Sequence, residues 1–378
     1  MEPVSKGFED CFNTLSDPRI ARRKLYPLNE ILFVVLCGSI CGAESWRDFV
    51  LFGNEKLDFL KTHFAFSNGI ASKNTFARVF AVLDPVVFRE CFMAWVKSLQ
   101  TQWDEEVIAI DGKTLCNSGD EREGTPAIHL VSAFAAKARL VLGQQKVDEK
   151  SNEITAIPAL LALLDVKGQI VTIDAMGCQR AIAQQIQDQG ADYVLALKGN
   201  QETLNDEVRL FLETEVAKPA SDALGVVYED VDAGHGRIET RRCIVSSHID
   251  WLEQKPQWAG LKTIAMIEET RDVGDKVSID RRFFISSLPA DAQKVAQAVR
   301  AHWSVENALH WTLDVVFNED ESRVRKGHAP HNMALVRHFA LNMLNTVKKG
   351  FKDVSVKALR KKAGWGNAFL QLVLKQNF

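Results

Sequence analysis

The sequence has few cysteines, and none lies at the spacing of a zinc site or a redox motif. Seven are spread over 378 residues without a Cys-x-x-Cys pair. Structural zinc sites and dithiol motifs need cysteines or histidines at close spacing. We therefore interpret these cysteines as reduced thiols that pack mostly as small hydrophobic side chains.

The sequence also lacks a long apolar run. The longest, residues 31–41, is shorter than the ~20 residues that cross a bilayer. The first residues lead into a polar stretch and show no secretory signal. We therefore expect a cytoplasmic protein that does not enter a membrane.

A strong excess of one charge is absent as well, because the formal net charge is only −3. The charges are nevertheless distributed unevenly. Between residues 322 and 362, eleven Lys or Arg accompany a single acid, Asp353, so the rest of the chain is acidic. Such a basic tract can hold DNA by releasing counterions from its phosphates. The alternative is a solvated helical surface.

Apolar residues at helical spacing fill the first hundred positions, and we predict a helical N-terminal domain over residues 1–104. In one predicted helix Ser72 is the N-cap, and Phe76, Phe80 and Leu83 face the core. Two interpretations stay open for this domain. It either binds DNA ends, as a helix-turn-helix reader would, or only packs against the next domain.

The pattern changes at Glu106, where short apolar strands begin. Residues 105–225 predict three strands followed by a helix, a strand, a helix and a strand. This order predicts an α/β fold with a mixed five-stranded sheet, which is the order of a ribonuclease H-like domain. Residues 226–289 predict a β-rich insertion. Residues 290–378 predict a helix that opens near Ala292, followed by basic C-terminal helices.

Three acidic residues stand out in this arrangement. Asp111 and Asp174 each end an apolar predicted strand, with a glycine close behind. Glu306 lies on the helix from Ala292, within an apolar stripe where a carboxylate needs an opposite charge or a metal ion. Open α/β sheets place function at strand ends, so we expect the three acids to meet there. An ordinary turn aspartate and a structural glutamate are the alternatives.

Three carboxylates at one point repel each other unless a divalent cation lies between them. Oxygen ligands favour Mg²⁺. Two such ions can activate a nucleophile and stabilise a leaving oxygen in phosphodiester chemistry. In this interpretation Asp111 bridges two Mg²⁺ ions, and Asp174 and Glu306 each hold one.

The segments around these acids resemble the DDE transposases of bacterial insertion sequences, and most of all the H-repeat-associated group. The resemblance covers nearly the whole chain. Five motifs carry it: Ile110-Asp111-Gly112-Lys113, Asp174-Ala175-Met176-Gly177-Cys178-Gln179, Lys198-Gly199-Asn200-Gln201, His235-Gly236-Arg237 and His302-Trp303-Ser304-Val305-Glu306-Asn307. The resemblance implies that Asp111, Asp174 and Glu306 are the catalytic triad. It also implies Mg²⁺ as cofactor, with Mn²⁺ as a substitute, and double-stranded DNA as substrate, bound by a homodimer.

Further residues are expected to contact DNA through charge or polarity. They are Lys113, Lys198, Gln201, His235, Arg237, His302, Arg323, Arg325 and Lys326. Lys113 and Lys198 follow strands at the expected catalytic edge and could clamp a phosphate, although either could be an ordinary surface lysine. Arg237 could instead pair only with Glu239.

The sequence departs from the related transposases around the third acid. Many of them carry a Tyr, Arg, Glu, Lys signature, whereas Val299, His302 and Leu313 stand here in place of Tyr, Arg and Lys. A DNA hairpin intermediate is therefore not inferred. Asp314 is a reserve candidate for the third acid, and Glu306 is preferred because its neighbours match.

The expected function is a transposase that nicks the ends of its element and transfers the strand to a target. Two alternatives remain. One is an immobile DNA-binding relic or regulator without catalysis. The other is a structure-specific nuclease on the same fold, which would cut DNA without joining it.

Overall fold

Helices form the first part of the chain, as predicted. The structure is a computed structural model and describes residues 3–20, 22, 24–99, 105–120, 124–148, 151–218, 225–234, 237–273 and 276–378. The first six helices are α1 (Val4–Cys11), α2 (Leu28–Cys41), α3 (Trp46–Glu55), α4 (Leu57–Leu60), α5 (Lys73–Val82) and α6 (Pro85–Leu99). Ser72 caps α5 as expected, because its side chain accepts a hydrogen bond from the backbone N–H of Thr75.

Among the described residues, no single helix is long and apolar enough to span a membrane. Helices α2 and α3 reach the required length and composition only when taken together, and they are bent by 94° at the break between them.

The α/β part follows the predicted order. Its elements are β1 (Val107–Thr114), β2 (His129–Ala135), β3 (Leu140–Lys146), α7 (Glu153–Leu161), β4 (Ile170–Ile173), α8 (Arg180–Asp188), β5 (Asp192–Leu197) and α9 (Glu202–Val216). Strands β1, β4 and β5 are parallel neighbours, while β2 and β3 extend the sheet antiparallel from β1. This arrangement places the carboxyl ends of β1 and β4 side by side.

The predicted sheet of five strands is wrong in size, since the described residues form one mixed sheet of nine. Four further strands continue it: β6 (Val226–Gly234), β7 (Arg237–Ser246), β8 (Thr263–Val273) and β9 (Lys276–Ser286). The sheet order is β3-β2-β1-β4-β5-β9-β8-β7-β6. The extension starts where β9 pairs antiparallel with β5, with Leu195 opposite Ile285. Both residues are fully buried, so β9 covers an edge that β5 would otherwise expose.

The chain continues after β9 with further α-helices. They are α10 (Ala292–Val305), α11 (Ala329–Lys348), α12 (Val356–Trp365) and α13 (Asn367–Lys375). Helix α11 is buried along almost its whole length between the N-terminal helices and β3. Its Phe339 packs against the rings of Phe88, Phe92 and Trp95. Helix α10 packs on the other face of the sheet, in a separate apolar cluster.

Helix α11 also seals the edge of the sheet at β3. The fully buried Asn342 side chain accepts a hydrogen bond from the Val141 N–H and donates one to the Val141 carbonyl, both at 2.8 Å. An amide group thus replaces the neighbouring strand that Val141 lacks.

We predict that Asn342→Leu lowers the free energy of unfolding by about 2 to 4 kcal/mol. The substitution leaves two buried backbone groups of Val141 without partners, and each costs about 1 to 3 kcal/mol. Urea denaturation followed by circular dichroism measures the change. Lys349→Ala, at the exposed end of the same helix, is the control and should shift stability by less than about 0.5 kcal/mol. Equal stability of the Leu variant and the wild type would contradict the role given to Asn342.

Candidate active site

Asp111 and Asp174 lie on neighbouring strands at the same edge of their parallel pairing. The register of β1 and β4 ends with Ile110 opposite Ile173, and each acid is the next residue along its chain. Asp111 does not end its strand as predicted, because β1 continues to Thr114 against β2. Only the parallel partner β4 stops, and this opens space beside Asp111. The backbone N–H of Gly112 donates to Asp111 Oδ1 at 2.9 Å.

Glu306 comes from the end of α10. The helix begins with Asp291, whose side chain caps the Lys294 N–H at 2.9 Å, and its α-helical part ends at Val305. The backbone then winds as a π-helix over Glu306–His310 and Thr312–Val316, not as the continuous α-helix we expected. Such segments are rare and occur often at functional sites. Glu306 does not lie inside a buried apolar stripe as expected, because its side chain is 73% exposed.

The three predicted acids line one cavity of about 350 Å³, together with His302, Trp303 and neighbouring residues of α10. Burial is the largest cause that raises the pKa of Asp111, to about 7, and the charges of Asp174, Glu153 and Glu306 raise it further. The hydrogen bond from Gly112 acts in the opposite direction. A carboxyl group that resists ionisation beside other acids, as Asp111 does, fits a divalent cation, which would relieve the repulsion.

His310 completes this cluster and was not predicted as a site residue. Its Nδ1 lies 3.6 Å from Asp111 Oδ2 and 3.6 Å from Glu306 Oε2. Ligand atoms of Asp111, Glu306 and His310 all lie within 4.8 Å of one another. The sequence held a signal for it, because His310 stands four residues after Glu306 on the same helix face.

His302 lies on the other side of the cavity, beside Asp174. It is half-buried, and its Nδ1 lies 3.1 Å from the Thr172 hydroxyl. Burial lowers the pKa of the imidazole, and the nearby charge of Asp174 acts in the opposite direction. The side chain is therefore mainly neutral near pH 7, and it offers hydrogen bonds at this position instead of a fixed positive charge.

A further acid, Glu153, approaches Asp111 from the start of α7. Its Oε1 lies 2.6 Å from His129 Nε2, and the other ring nitrogen of His129 lies 2.7 Å from the Thr114 hydroxyl. Glycine at position 112 makes room for this pair, since a Cβ there would collide with Glu153 and His129. Sequence reasoning missed Glu153, although the glycine after Asp111 indicated a close approach.

Lys113 lies in an ion cluster inside the protein instead of at an open surface. Its ammonium bonds to Asp314 and lies 3.2 Å from Glu319 Oε2, with Asp320 at 4.0 Å. Glu319 is almost fully buried and also pairs with Arg337 on α11 at 3.2 Å. The lysine expected to clamp a phosphate therefore has its charge satisfied inside the protein. Asp314, the reserve third acid, belongs to this cluster as well.

The other predicted DNA contacts fall into two groups. Lys198 is exposed after β5 and makes no ion pair with the residues that the structure describes. It lines a groove of about 710 Å³ that also contains Asp174, His302 and Trp303, with Arg282 stacked 4.0 Å over the Trp303 ring. Gln201 instead supports the loop after Asp174 by donating to the Cys178 carbonyl at 3.0 Å.

The predicted DNA contacts in the insertion and in the basic tract differ in how many partners they have inside the protein. His235 lies outside the described residues. Arg237 pairs with the buried Glu239 at 2.9 Å, as the alternative interpretation expected. Arg325 donates to the Asn117 carbonyl at 3.0 Å, whereas Arg323 and Lys326 are exposed and have no ion pair among the described residues.

Comparison with known families gives two matches that divide the chain near the start of β1. Residues 102–343 match the sequence model described as "Transposase DDE domain". Residues 9–96 match a second, described as "DDE_Tnp_1-associated". The first match spans more than half of the chain and includes Asp111, Asp174 and Glu306.

Several bacterial proteins are similar over most of their length. The protein named "H repeat-associated putative transposase YhhI" of Escherichia coli (strain K12) is 44% identical over 364 residues, which are 95% of each chain. "Putative transposase YncI" of Escherichia coli O157:H7 is 40% identical and covers 97% of this chain and 93% of its own. A short relative, "Inactive transposase YbfQ" of the K12 strain, is 44% identical over 63 residues, 17% of this chain and 75% of its own.

We predict that the metal-free protein loses stability as the pH rises from about 5 to 8. A carboxyl group whose pKa is raised in the folded state keeps its proton there while the unfolded chain releases it, so ionisation disfavours folding. Asp111→Asn removes this penalty. In EDTA, the stability gained by the variant over the wild type should therefore be larger at pH 8 than at pH 5 by about 2 to 4 kcal/mol. Thermal melts at both pH values test it. The same pH dependence in both proteins would show that Asp111 ionises normally.

We predict that Lys113→Met lowers the free energy of unfolding by about 3 to 5 kcal/mol, because it leaves Asp314 and the buried Glu319 short of a positive charge. Lys198→Met is the matched control, since it removes an exposed lysine near the same sheet edge and should leave stability unchanged. Chemical denaturation of both variants measures the difference. Equal free energies of unfolding for the two variants would mean that Lys113 has no structural role.

Proposed function

Because the chain belongs to the family of transposases with a DDE domain, we propose that it cleaves DNA at the ends of an insertion sequence and joins the freed end to a target. The family implies a DNA substrate and a requirement for divalent metal ions. The observation that carries the proposal is the convergence of Asp111, Asp174 and Glu306 on one cavity. These acids come from β1, the end of β4 and the end of α10.

The residues of the cavity suit a divalent metal centre. We assign Asp111 to two ions, and Asp174 and Glu306 to one ion each. Mg²⁺ is the proposed metal, with Mn²⁺ as a substitute. Bound ions of this kind activate the attacking hydroxyl or water and stabilise the leaving oxygen. The protein would hold Asp111 and Asp174 on adjacent strands at a fixed spacing, and would keep Glu306 open to solvent so that DNA can approach.

Exposed cations near the site supply the proposed grip on DNA. Lys198 stands at the rim of the groove that contains Asp174, and Arg323 and Lys326 follow the π-helical segments. Each would neutralise a phosphate without reading sequence. A homodimer would hold two element ends at once, since both must be cut before the element moves.

An immobile relic is the second candidate, and one observation favours it. A short relative bears the name "Inactive transposase YbfQ". That relative matches only 63 residues, whereas this chain extends over 95% of a full-length relative and keeps all three acids in one cavity. Retention of the acids in this arrangement favours an active enzyme.

We predict that Asp111→Asn, Asp174→Asn and Glu306→Gln each reduce DNA cleavage by more than about a hundredfold while DNA binding survives. The substitutions remove a metal ligand but hardly change side-chain size. The measurement uses a labelled duplex that carries the element end, with Mg²⁺, Ca²⁺ or EDTA, and plasmid target DNA to capture joined products.

Glu321→Gln is the control, because it neutralises an exposed acid that follows the π-helical segments and that no proposed ion uses. Near wild-type cleavage by any one triad variant would remove that residue from the mechanism. Cleavage without joined products would favour a structure-specific nuclease. Salt-sensitive binding without cleavage in any metal would favour the relic.

A further inference from the structure

We propose that His310 Nδ1 is a third ligand, with Asp111 and Glu306, of one divalent metal ion, and that this imidazole makes the site prefer transition metals such as Mn²⁺ to Mg²⁺. The inference rests on the proposed metal-dependent function. It adds to that function a nitrogen ligand and a metal preference.

The first support is geometric. His310 Nδ1 is equally far, 3.6 Å, from Asp111 Oδ2 and Glu306 Oε2. Neighbouring ligand atoms around an octahedral ion lie about 3 Å apart, and opposite ones about 4.2 Å apart, when the bonds are about 2.1 Å long. The separations in the cluster lie close to this range, with all ligand atoms within 4.8 Å of one another. Small side-chain rotations would bring the three atoms onto one ion.

The second support is that the imidazole has no other role visible in the described part of the chain. His310 is only 6% exposed, and its Nε2 is buried without a hydrogen-bond partner there. Its Nδ1 lies beyond direct hydrogen-bond distance of both carboxylates. The gap between Nδ1 and the two carboxylates is too long for direct hydrogen bonds, and an ion between them would bond to all three side chains.

The third support is the way the ring is held. The π-helical segment that begins at Glu306 places His310 on the side of Asp111, and the residues after it carry Asp314 to Lys113. A ring that is held in this position keeps Nδ1 directed at the two carboxylates.

The chemical consequence is a change in metal preference. Mg²⁺ prefers oxygen ligands, whereas imidazole nitrogen suits transition metals, which bind more tightly along the series from Mn²⁺ to Cu²⁺. A site with two carboxylates and one imidazole would hold Mn²⁺ more tightly than Mg²⁺. Asp174, which lies outside this cluster, would leave the other ion with oxygen ligands only.

The test measures metal binding by the full-length protein without DNA. Mn²⁺ is added to the metal-free wild type, and pulsed electron paramagnetic resonance detects coupling to a directly bound ¹⁴N nucleus. Mn²⁺ and Mg²⁺ affinities are obtained by titration and competition. His310→Asp keeps an oxygen ligand and His310→Gln keeps a neutral polar side chain, so at least one folded variant should be available. Circular dichroism confirms folding.

We expect nitrogen coupling in the wild type and its loss in both His310 variants. The Mn²⁺ affinity of His310→Gln should fall about tenfold or more, with a much smaller change for Mg²⁺. His302→Gln is the matched control, because it removes another imidazole that lines the same cavity and should keep the coupling.

Mn²⁺ bound without nitrogen coupling in the wild type would overturn the role of His310 and leave the proposed transposase intact. Coupling that disappears in His302→Gln instead would overturn it as well, and would assign the nitrogen to the Asp174 side. A wild type that binds no Mn²⁺ would contradict both the role of His310 and the proposed metal-dependent function.

Discussion

The buried ion cluster around Lys113 fixes the geometry on which the site depends. Lys113 stands two residues after Asp111 on β1, so both side chains face the same side of the sheet. Asp314 bonds to Lys113, while His310, four residues earlier, faces Asp111. Strand β1 and the π-helical segments thus contact each other at two places, Asp111 with His310 and Lys113 with Asp314. Glu319 then links Lys113 to Arg337 and anchors the pair to α11. Desolvation of these charges is costly, and only their mutual contact offsets it.

This anchor explains how like charges can be held together nearby. Burial, followed by the charges of Asp174, Glu153 and Glu306, raises the pKa of Asp111 to about 7. Such a cluster would spread apart if its elements were free to move. The parallel pairing of β1 with β4 holds the two aspartates, and the Lys113 cluster holds the helix that carries Glu306. Stability elsewhere thus compensates for strain at the site.

Local sequence patterns were sufficient to predict the order of the elements from β1 to β5, but not the contacts between residues far apart in the chain. The catalytic role of the three acids stays a prediction. The order of the strands, and the aspartates that follow apolar runs, are determined by residues close together in the sequence. Hydrophobic periodicity reveals patterns of this kind. The pairing of β5 with β9 and the contact between Lys113 and Asp314 join residues far apart in the chain. The sequence therefore led us to underestimate the sheet, and Lys113 was expected at the surface. The π-helical winding, which sets the place of His310, also has no periodic signature that we could identify.

Around the third acid, this sequence has Val299, His302 and Leu313 where many related transposases have Tyr, Arg and Lys, and the fold shows where these side chains lie. Val299 and Leu313 are buried in apolar surroundings. The imidazole of the half-buried His302 has a lowered pKa and is mainly neutral. The helix therefore presents no fixed positive charge where related enzymes carry Arg and Lys. We infer that the substrate phosphates meet positive charge from the β5 side, where Lys198 lines the groove, and from the metal ions themselves. Loss of one metal ligand would remove only part of this positive charge, so the exposed cations would still hold DNA.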